Sequence, residues 1–411
     1  MSTPALRFKE FDGDWVSSPL KKFFPKIRNG FVGIATPYYV ANGVKYLQGK
    51  NVKDGSIDPT GLIYISEEFH AKKSNSKLAI DDILMVQSGH VGECAVIDKE
   101  YDNANCHALI VLSPPKEQKT NSYFVKYYFY TPIGKKIISQ IKTGNTIEHV
   151  LASEVKEIYL NFPSKEEQTQ IATFLSAVDE KISQLSQKLH LLGQYKQGMM
   201  QKLFSQQIRF KADDGSEFGE WETKSIKDIA DVKGGKRIPK GYSLVNENTG
   251  HPYITVSDMN RSYSIDNTNI RYVPLEVVEA IKRYTITDKD IFISVAGTLG
   301  IIGKIPPEFN GANLTENADK LTNLKCHQDF LIYLLDSGCL SELIESTATT
   351  SAQPKLALYA IEQLEINMPC LEEQTKIANF LSAIDQKIDV VSGQLEQAKL
   401  WKKGLLQQMF V

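Results

Sequence analysis

Apolar residues recur along two stretches of this chain in alternating steps of four and three. In the first they fall on Ile171, Leu175, Val178, Ile182, Leu185, Leu189 and Leu192, with Met199 and Leu203 resuming after Lys196. In the second they fall on Ile377, Leu381, Ile384, Ile388, Val391, Leu395, Ala398, Leu405 and Met409. That spacing is a coiled-coil seam and predicts two long amphipathic helices. Pro163 and Pro369 end the strands before them, Ser164 is placed to cap the first helix, and the Glu pair behind each proline suits the positive end of a helix dipole. A helix of about 40 residues is roughly 60 Å long. A single stripe of that length needs a partner, and the partner of matching pattern is the other copy. Within one chain the two must run antiparallel, because the second globular segment follows the far end of the first helix and the second helix returns. Lys196 and Lys402 interrupt both stripes at the same point, where a polar residue specifies register.

The helices are part of a larger repeat. EEQTQIATFLSAVDEKI (166–182) returns as EEQTKIANFLSAIDQKI (372–388), at the offset of 206 that separates Pro163 from Pro369. LRFK and FDGDW near the start return as IRFK and EFGEW after the first helix, and DDILMVQSGHVG (81–92) matches DKDIFISVAGTLG (288–300) with Gly89 and Gly92 on Gly297 and Gly300. The unit is a globular segment plus a helix, used twice. The expected domains are 1–162, 163–206, 207–368 and 369–411, with two globular heads at opposite ends of a rod. Arg7 to Lys9 could close the ring by docking on the end of the second helix, as Arg209 to Lys211 follow the first.

Both heads read as α+β. Strand signals in the first are Tyr64 to Phe69, Asp82 to Val86, Cys94 to Ile97 and Ala108 to Leu112; in the second they are Tyr253 to Val256, Ile270 to Val273, Asp290 to Val295 and Ile301 to Ile305. Residues 122–141 and 327–346 are helical by periodicity, each with a mid-segment glycine expected to separate two shorter helices.

The chain has 411 residues, 42% hydrophobic and 23% charged, which suits two or three domains with real cores. It carries no long apolar window and no signal-peptide layout, so a soluble cytoplasmic protein is expected. Cys94, Cys106, Cys326, Cys339 and Cys370 are scattered without CxxC spacing and are read as reduced, with no metal site. The net charge of −2 argues against a uniformly basic nucleic-acid surface. Residues 1–162 hold 20 basic and 17 acidic side chains, and 206–368 hold 17 and 23, so any DNA surface must be local.

Basic, amide and aromatic residues gather in the expected loops. KGGKRIPKG places Lys233, Lys236, Arg237 and Lys240 on a Gly-rich turn where backbone N–H groups can approach phosphate. The first head offers Lys26, Arg28 and Asn29, then Tyr38 and Tyr39, then Gln48, Lys50 and Asn51, types that hydrogen-bond base edges or the DNA backbone. Ser257, Asn260 and Arg261 hold the equivalent place in the second head. His90 lies in the SGHVG turn, but its counterpart is Thr298, which excludes a chemical role shared by both heads; both remain candidate ligand contacts. Motifs for a phosphate loop, a zinc protease, a hydrolase nucleophile, a dinucleotide fold or an amino-methyltransferase are missing, and no catalytic residue is assigned. The pattern points to recognition and scaffolding.

The whole chain resembles the specificity subunit of type I restriction–modification systems, through the duplicated PxxEEQxxIAxFLxxxDxKI helices and the RFK and EFGEW entries. The resemblance implies two homologous target-recognition domains separated by long antiparallel coiled-coil helices, seamed at Leu175, Val178, Ile182, Leu185, Leu381, Ile384, Ile388 and Val391. It implies a non-catalytic subunit that binds bipartite double-stranded DNA, one half-site per head, while the helix pair sets the gap and docks two methyltransferase subunits. Restriction subunits would join the full complex, with no membrane partner. S-adenosylmethionine and ATP would sit on those partners, leaving this chain without a cofactor. The rival readings are a self-sufficient nuclease or methyltransferase, which the missing motifs oppose, and a repeat-built protein adaptor without DNA binding.

Overall fold

The structure is a computed structural model that describes residues 3–117, 119–144, 148–348 and 355–411. The chain forms two compact units, Met1–Ser186 with Gly393–Val411, and Gln187–Ser392. Each unit therefore holds one globular segment and a part of each long helix.

In the first unit a four-stranded antiparallel sheet runs in the order Lys26–Asn29, Leu109–Ser113, Ile83–Val86, Cys94–Val96. Side chains alternate across a strand. Ile83 and Met85 accordingly enter the core shared with the long helices, while Leu84 and Val86 enter a second core on the other face. A strand covered on both faces is apolar throughout, as ILMV is. A second sheet orders Asn105–Cys106, Val44–Leu47, Ile63–Ile65 and Tyr39–Val40, its first pair parallel. Val16–Pro19 pairs with Tyr159–Phe162 just before the long helix.

The second unit repeats this plan. Its central sheet runs Asp231–Gly234, Ala318–Thr322, Ile291–Ser294, Ile302–Gly303. Pro252–Ile254 pairs in parallel with Ala312–Leu314, and Glu222–Ser225 pairs with Glu365–Met368.

The long helices span Lys165–Phe204 and Leu371–Gln408. Ser164 caps the first, its Oγ accepting from the Glu167 N–H at 3.3 Å. In the first unit Ile171, Leu175 and Val178 share a core with Leu405, Leu406 and Met409. In the second, Met200 and Leu203 share one with Ile377, Leu381 and Ile384. The beginning of one helix thus packs with the end of the other in both units, which is the antiparallel pairing. Leu185 and Val391 are buried, and Ile182 and Ile388 are half-buried against their respective cores. The RFK segments dock as the repeat predicts. The Leu6 N–H reaches the Gln408 carbonyl at 2.9 Å, and the Ile208 N–H reaches that of Lys202 at 3.2 Å. Arg7 then pairs with buried Glu167, and Arg209 with buried Glu373.

Two local expectations are corrected. The Tyr64 to Phe69 strand ends at Ile65, because Ser66 caps a short helix, Glu67–Lys72, by accepting from the Phe69 N–H at 3.3 Å. The helical segment 122–141 breaks at Thr131 and Pro132 between Ser122–Tyr130 and Pro132–Ile141, not at Gly134. Gly134 lies inside the second helix, where a Cβ would come within 2.1 Å of the Tyr128 carbonyl oxygen. In the second unit the glycine does mark the break: Gly338, with φ of 148°, interrupts Gln328–Leu334 and Leu340–Ala348.

Candidate nucleic-acid interface

Strand register decides which candidate residues share a surface. In the first unit Asn29 lies opposite Ile110, and Val86 opposite Leu109, so the ends of Lys26–Asn29 and Ile83–Val86 emerge at the same end of the sheet. Exposed Asn29 and the turn carrying exposed His90 belong to that end; Lys26 sits at the opposite end of its strand. Gly49 brings a third segment there, since a Cβ on it would lie 3.6 Å from Val86 Cγ1. This short turn, Gly49–Asn51, carries exposed Lys50, and before it Gln48 donates from Nε2 to the Tyr39 hydroxyl at 3.2 Å. Tyr38 is exposed and stacks on Phe69 with ring centroids 4.3 Å apart.

Two candidates of the first head belong to the fold instead. Arg28 lies on a strand, not a loop, and its guanidinium donates to the Asn75 carbonyl at 2.7 Å, the Lys77 carbonyl at 2.8 Å and Ser113 Oγ at 2.5 Å. It also stands 3.5 Å from buried Asp82, whose carboxyl is raised by burial even so. Asn51 is fully buried. Its Oδ1 accepts from the Gln48 N–H and its Nδ2 donates to the Asp58 carbonyl, both at 3.0 Å, so it builds the turn that presents Lys50. A buried amide with these bonds made has no reach to an outside ligand.

The second unit places its candidates at the equivalent end. Gly234 lies opposite Asp319 and Ser294 opposite Ala318, so the Gly234–Arg237 loop and the turn holding exposed Thr298 emerge together. Lys233 is corrected from loop to strand, its ammonium 3.6 Å from Asp231. Lys236, Arg237 and Lys240 are exposed in the loop that follows. The Lys236 ammonium lies 5.5 Å from the Tyr284 ring centroid. Exposed Ser257 sits in the turn Val256–Asp258, capped as Gly49–Asn51 is, with Asp258 in the role of Asn51. Asn260 Oδ1 accepts from the Ser262 and Ser264 N–H groups, shaping the bend on which Arg261 is exposed.

Sequence reading missed Glu316, which pairs with Arg237. Burial pushes its carboxyl up, but bonds from Arg237, its own backbone and Thr315 outweigh that and hold it below the ordinary range. Tyr253, also missed, donates its hydroxyl to the Lys236 carbonyl at 2.8 Å. The clue available in sequence was a longer connection: Glu316 and Asn317 separate Thr315 from Ala318, whereas Ala108 alone separates His107 from Leu109. Among the described residues no cluster of three or more His, Cys, Asp or Glu could hold a metal ion, and no helix is long and apolar enough to cross a membrane. The assembled surface offers donors and acceptors for a polar ligand.

Known proteins carry the same arrangement. The type I restriction modification DNA specificity domain matches this chain twice, over residues 12–192 and 219–400. A Methanocaldococcus jannaschii protein provisionally named type I restriction enzyme MjaX specificity subunit is 26% identical, covering 97% of this chain and 93% of its own length. The type I restriction enzyme MjaVIII specificity subunit of the same organism is 25% identical, covering 97% and 94%. The crystal structure of a type I restriction–modification S subunit from M. genitalium shares the fold, with a TM-score of 0.65 at 19% identity over 100% of this chain and 99% of that one. With both copies of the domain present and most of its length matched, the chain belongs to the type I restriction–modification DNA specificity family.

Proposed function

We propose that this chain is the non-catalytic DNA-recognition subunit of a type I restriction–modification complex and that each unit reads one half of a bipartite target. The observation that carries this reading is the doubled surface. The same sheet end, the same capped turn and the same strand-end loop occur twice, with Asn29, Gln48, Lys50 and His90 in one copy and Lys236, Arg237, Ser257 and Thr298 in the other. A constant scaffold carrying different side chains is what two unlike half-sites require.

In the same reading the long helices set the gap between half-sites and dock two methyltransferase subunits, with restriction subunits completing the complex in the cytoplasm. S-adenosylmethionine belongs to the methyltransferase partners and ATP to the restriction partner.

Genome-wide mapping of adenine methylation, with the gene present and deleted, tests the proposal. A bipartite motif should disappear on deletion; an unchanged methylation map overturns it. Four residues inserted into one long helix add about 6 Å. They should change the gap while leaving both half-sites intact, and an unchanged gap would refute the measuring role.

A further inference from the structure

The Arg237 ion pair gives the second unit a feature the first lacks. Gly235 leaves the sheet through its N–H bond to the Ala318 carbonyl at 3.0 Å, and Lys236 donates to the Leu314 carbonyl at 2.8 Å. In the first unit Gly30 and Phe31 make the corresponding bonds, to Leu109 and Cys106. Val32 therefore stands where Arg237 stands, and it is 65% exposed and apolar. The carboxylate that meets Arg237 comes from the lengthened connection after Thr315.

The pairing leaves a specific set of donors. Glu316 Oε1 accepts from Arg237 Nε, while Oε2 accepts from Thr315 Oγ1 at 3.1 Å and lies 3.5 Å from the Tyr253 hydroxyl. The arginine stem is thereby held at a fixed angle, yet its side chain is 77% exposed. Among the described residues its terminal nitrogens, Nη1 and Nη2, donate to no other group. A guanidinium oriented through Nε, with that end free, matches two adjacent acceptors in one plane.

The nearby carboxylate decides what those acceptors are. It neutralises the pair and would repel a phosphate, whereas a base edge carries no net charge. Guanine presents O6 and N7 side by side in the major groove; adenine and thymine each present one acceptor there, and cytosine presents a donor. We propose that Arg237 reads a guanine in the half-site of the second unit and that Glu316 is its positioning residue. This rests on the recognition function proposed above and names the base that one side chain selects.

The test uses the complex purified through this chain, so that its methyltransferase partners are present, with selection from randomised duplexes followed by binding to the selected sequence. Wild type should fix a guanine in one half-site, and 7-deazaguanine at that position, which lacks the N7 acceptor, should weaken binding about tenfold. R237A should relax that position alone and abolish the 7-deazaguanine penalty. R237K, which keeps the charge without the planar fork, should keep most affinity and weaken the guanine preference, since an ammonium still donates to O6 or N7 but without the fixed fork geometry. E316Q should retain the preference with a penalty reduced to about threefold, since the guanidinium is less firmly oriented. A change confined to bulk architecture would not alter sensitivity to a single base atom.

If R237A lowers affinity equally for all sequences and only reduces the salt dependence, Arg237 is a phosphate contact and the assignment falls. It falls too if wild type selects no guanine, or if R237A keeps the full guanine preference. An unchanged penalty in E316Q removes Glu316 from its role. A complex that selects no sequence at all instead overturns the recognition function itself.

Discussion

Lys402 Nζ lies 2.6 Å from Asp179 Oδ1, and the second unit repeats the contact between Lys196 Nζ and Asp385 Oδ1 at the same 2.6 Å. Each aspartate accepts on its other oxygen from a tyrosine at 2.7 Å, Tyr127 in one unit and Tyr333 in the other. The lysine that interrupts each apolar stripe is thus matched to the aspartate inside the repeated LSAVD or LSAID motif. Only the native register brings the two together, which is how a polar pair specifies alignment at some cost in stability.

Replacing one member should therefore cost more than replacing both. Asp385→Ala leaves Lys196 and the Tyr333 hydroxyl short of an acceptor, with an expected loss of ~2 kcal/mol. Combining it with Lys196→Met should recover part of that loss, because the methionine suits the apolar seam. Denaturant titration of the four members of the mutant cycle supplies the coupling energy, and strict additivity would remove the pair from any role in register.

Lys126 offers a pH-dependent prediction. It is buried, its Nζ 4.0 Å from the Tyr127 ring centroid and 3.9 Å from Asp179. Burial lowers it from 10.5 to about 8, with Asp179 opposing and Lys402 assisting. The residue in the equivalent position of the second unit is buried Ile332. Between pH 8 and 10.5 the unfolded chain binds more protons at this site than the folded one, so wild-type stability gains as pH rises through that window. Below about pH 8 the whole burial penalty remains. Lys126→Ile should accordingly stabilise the first unit at pH 7 by roughly 1–3 kcal/mol, and the advantage should shrink by pH 10. Differential scanning of both proteins at the two pH values checks this; a constant difference would contradict it.

The division of labour within Lys26–Asn29 predicts a contrast between neighbours. Arg28→Ala leaves Asp82, which is 2% exposed, without its cation, and should destabilise the first unit by ~3 kcal/mol. Lys26→Ala, at the exposed end of the same strand, should change stability by less than about 0.5 kcal/mol. Thermal unfolding separates the two, and similar midpoints would mean that Arg28 is not a structural anchor.

How much of this was legible follows from the distance over which each contact acts. The helix seam is a local period written into Ile171, Leu175 and Val178, and the duplication identifies its partner, so helices, pairing and RFK docking can all be read from sequence. Arg28 and Lys26 look alike in sequence and share one face of the strand, and only the Asn75 and Lys77 carbonyls and Asp82, which the fold brings up to Arg28, make one an anchor and leave the other at the exposed strand end. Asn51 has the composition of a base reader, but the carbonyls it caps are provided by the fold. Glu316 meets Arg237 across 79 residues, a pairing that no local pattern announces. The break at Thr131 and Pro132 is legible in principle, since Thr then Pro is a helix start, and Gly134 two residues later is the competing break signal.

Gly235 tests whether the strand-end loop depends on its close approach to the neighbouring strand. A Cβ built there would lie 2.0 Å from the Thr315 carbonyl oxygen and 2.5 Å from that of Leu314, both backbone atoms with little freedom to retreat. Gly235→Ala must therefore push the loop away from the connection that supplies Glu316, at a cost of about 1–3 kcal/mol. Base selection by the second unit should weaken while that of the first is kept. Gly193 is the control: it lies within the first long helix, and a Cβ there meets nothing within 4 Å. Gly193→Ala should raise stability by ~0.5–1 kcal/mol, because alanine loses less backbone entropy in a helix, and leave both half-sites unchanged. Equal effects of the two substitutions on selection would show that the loop reads DNA without needing the close approach at Gly235.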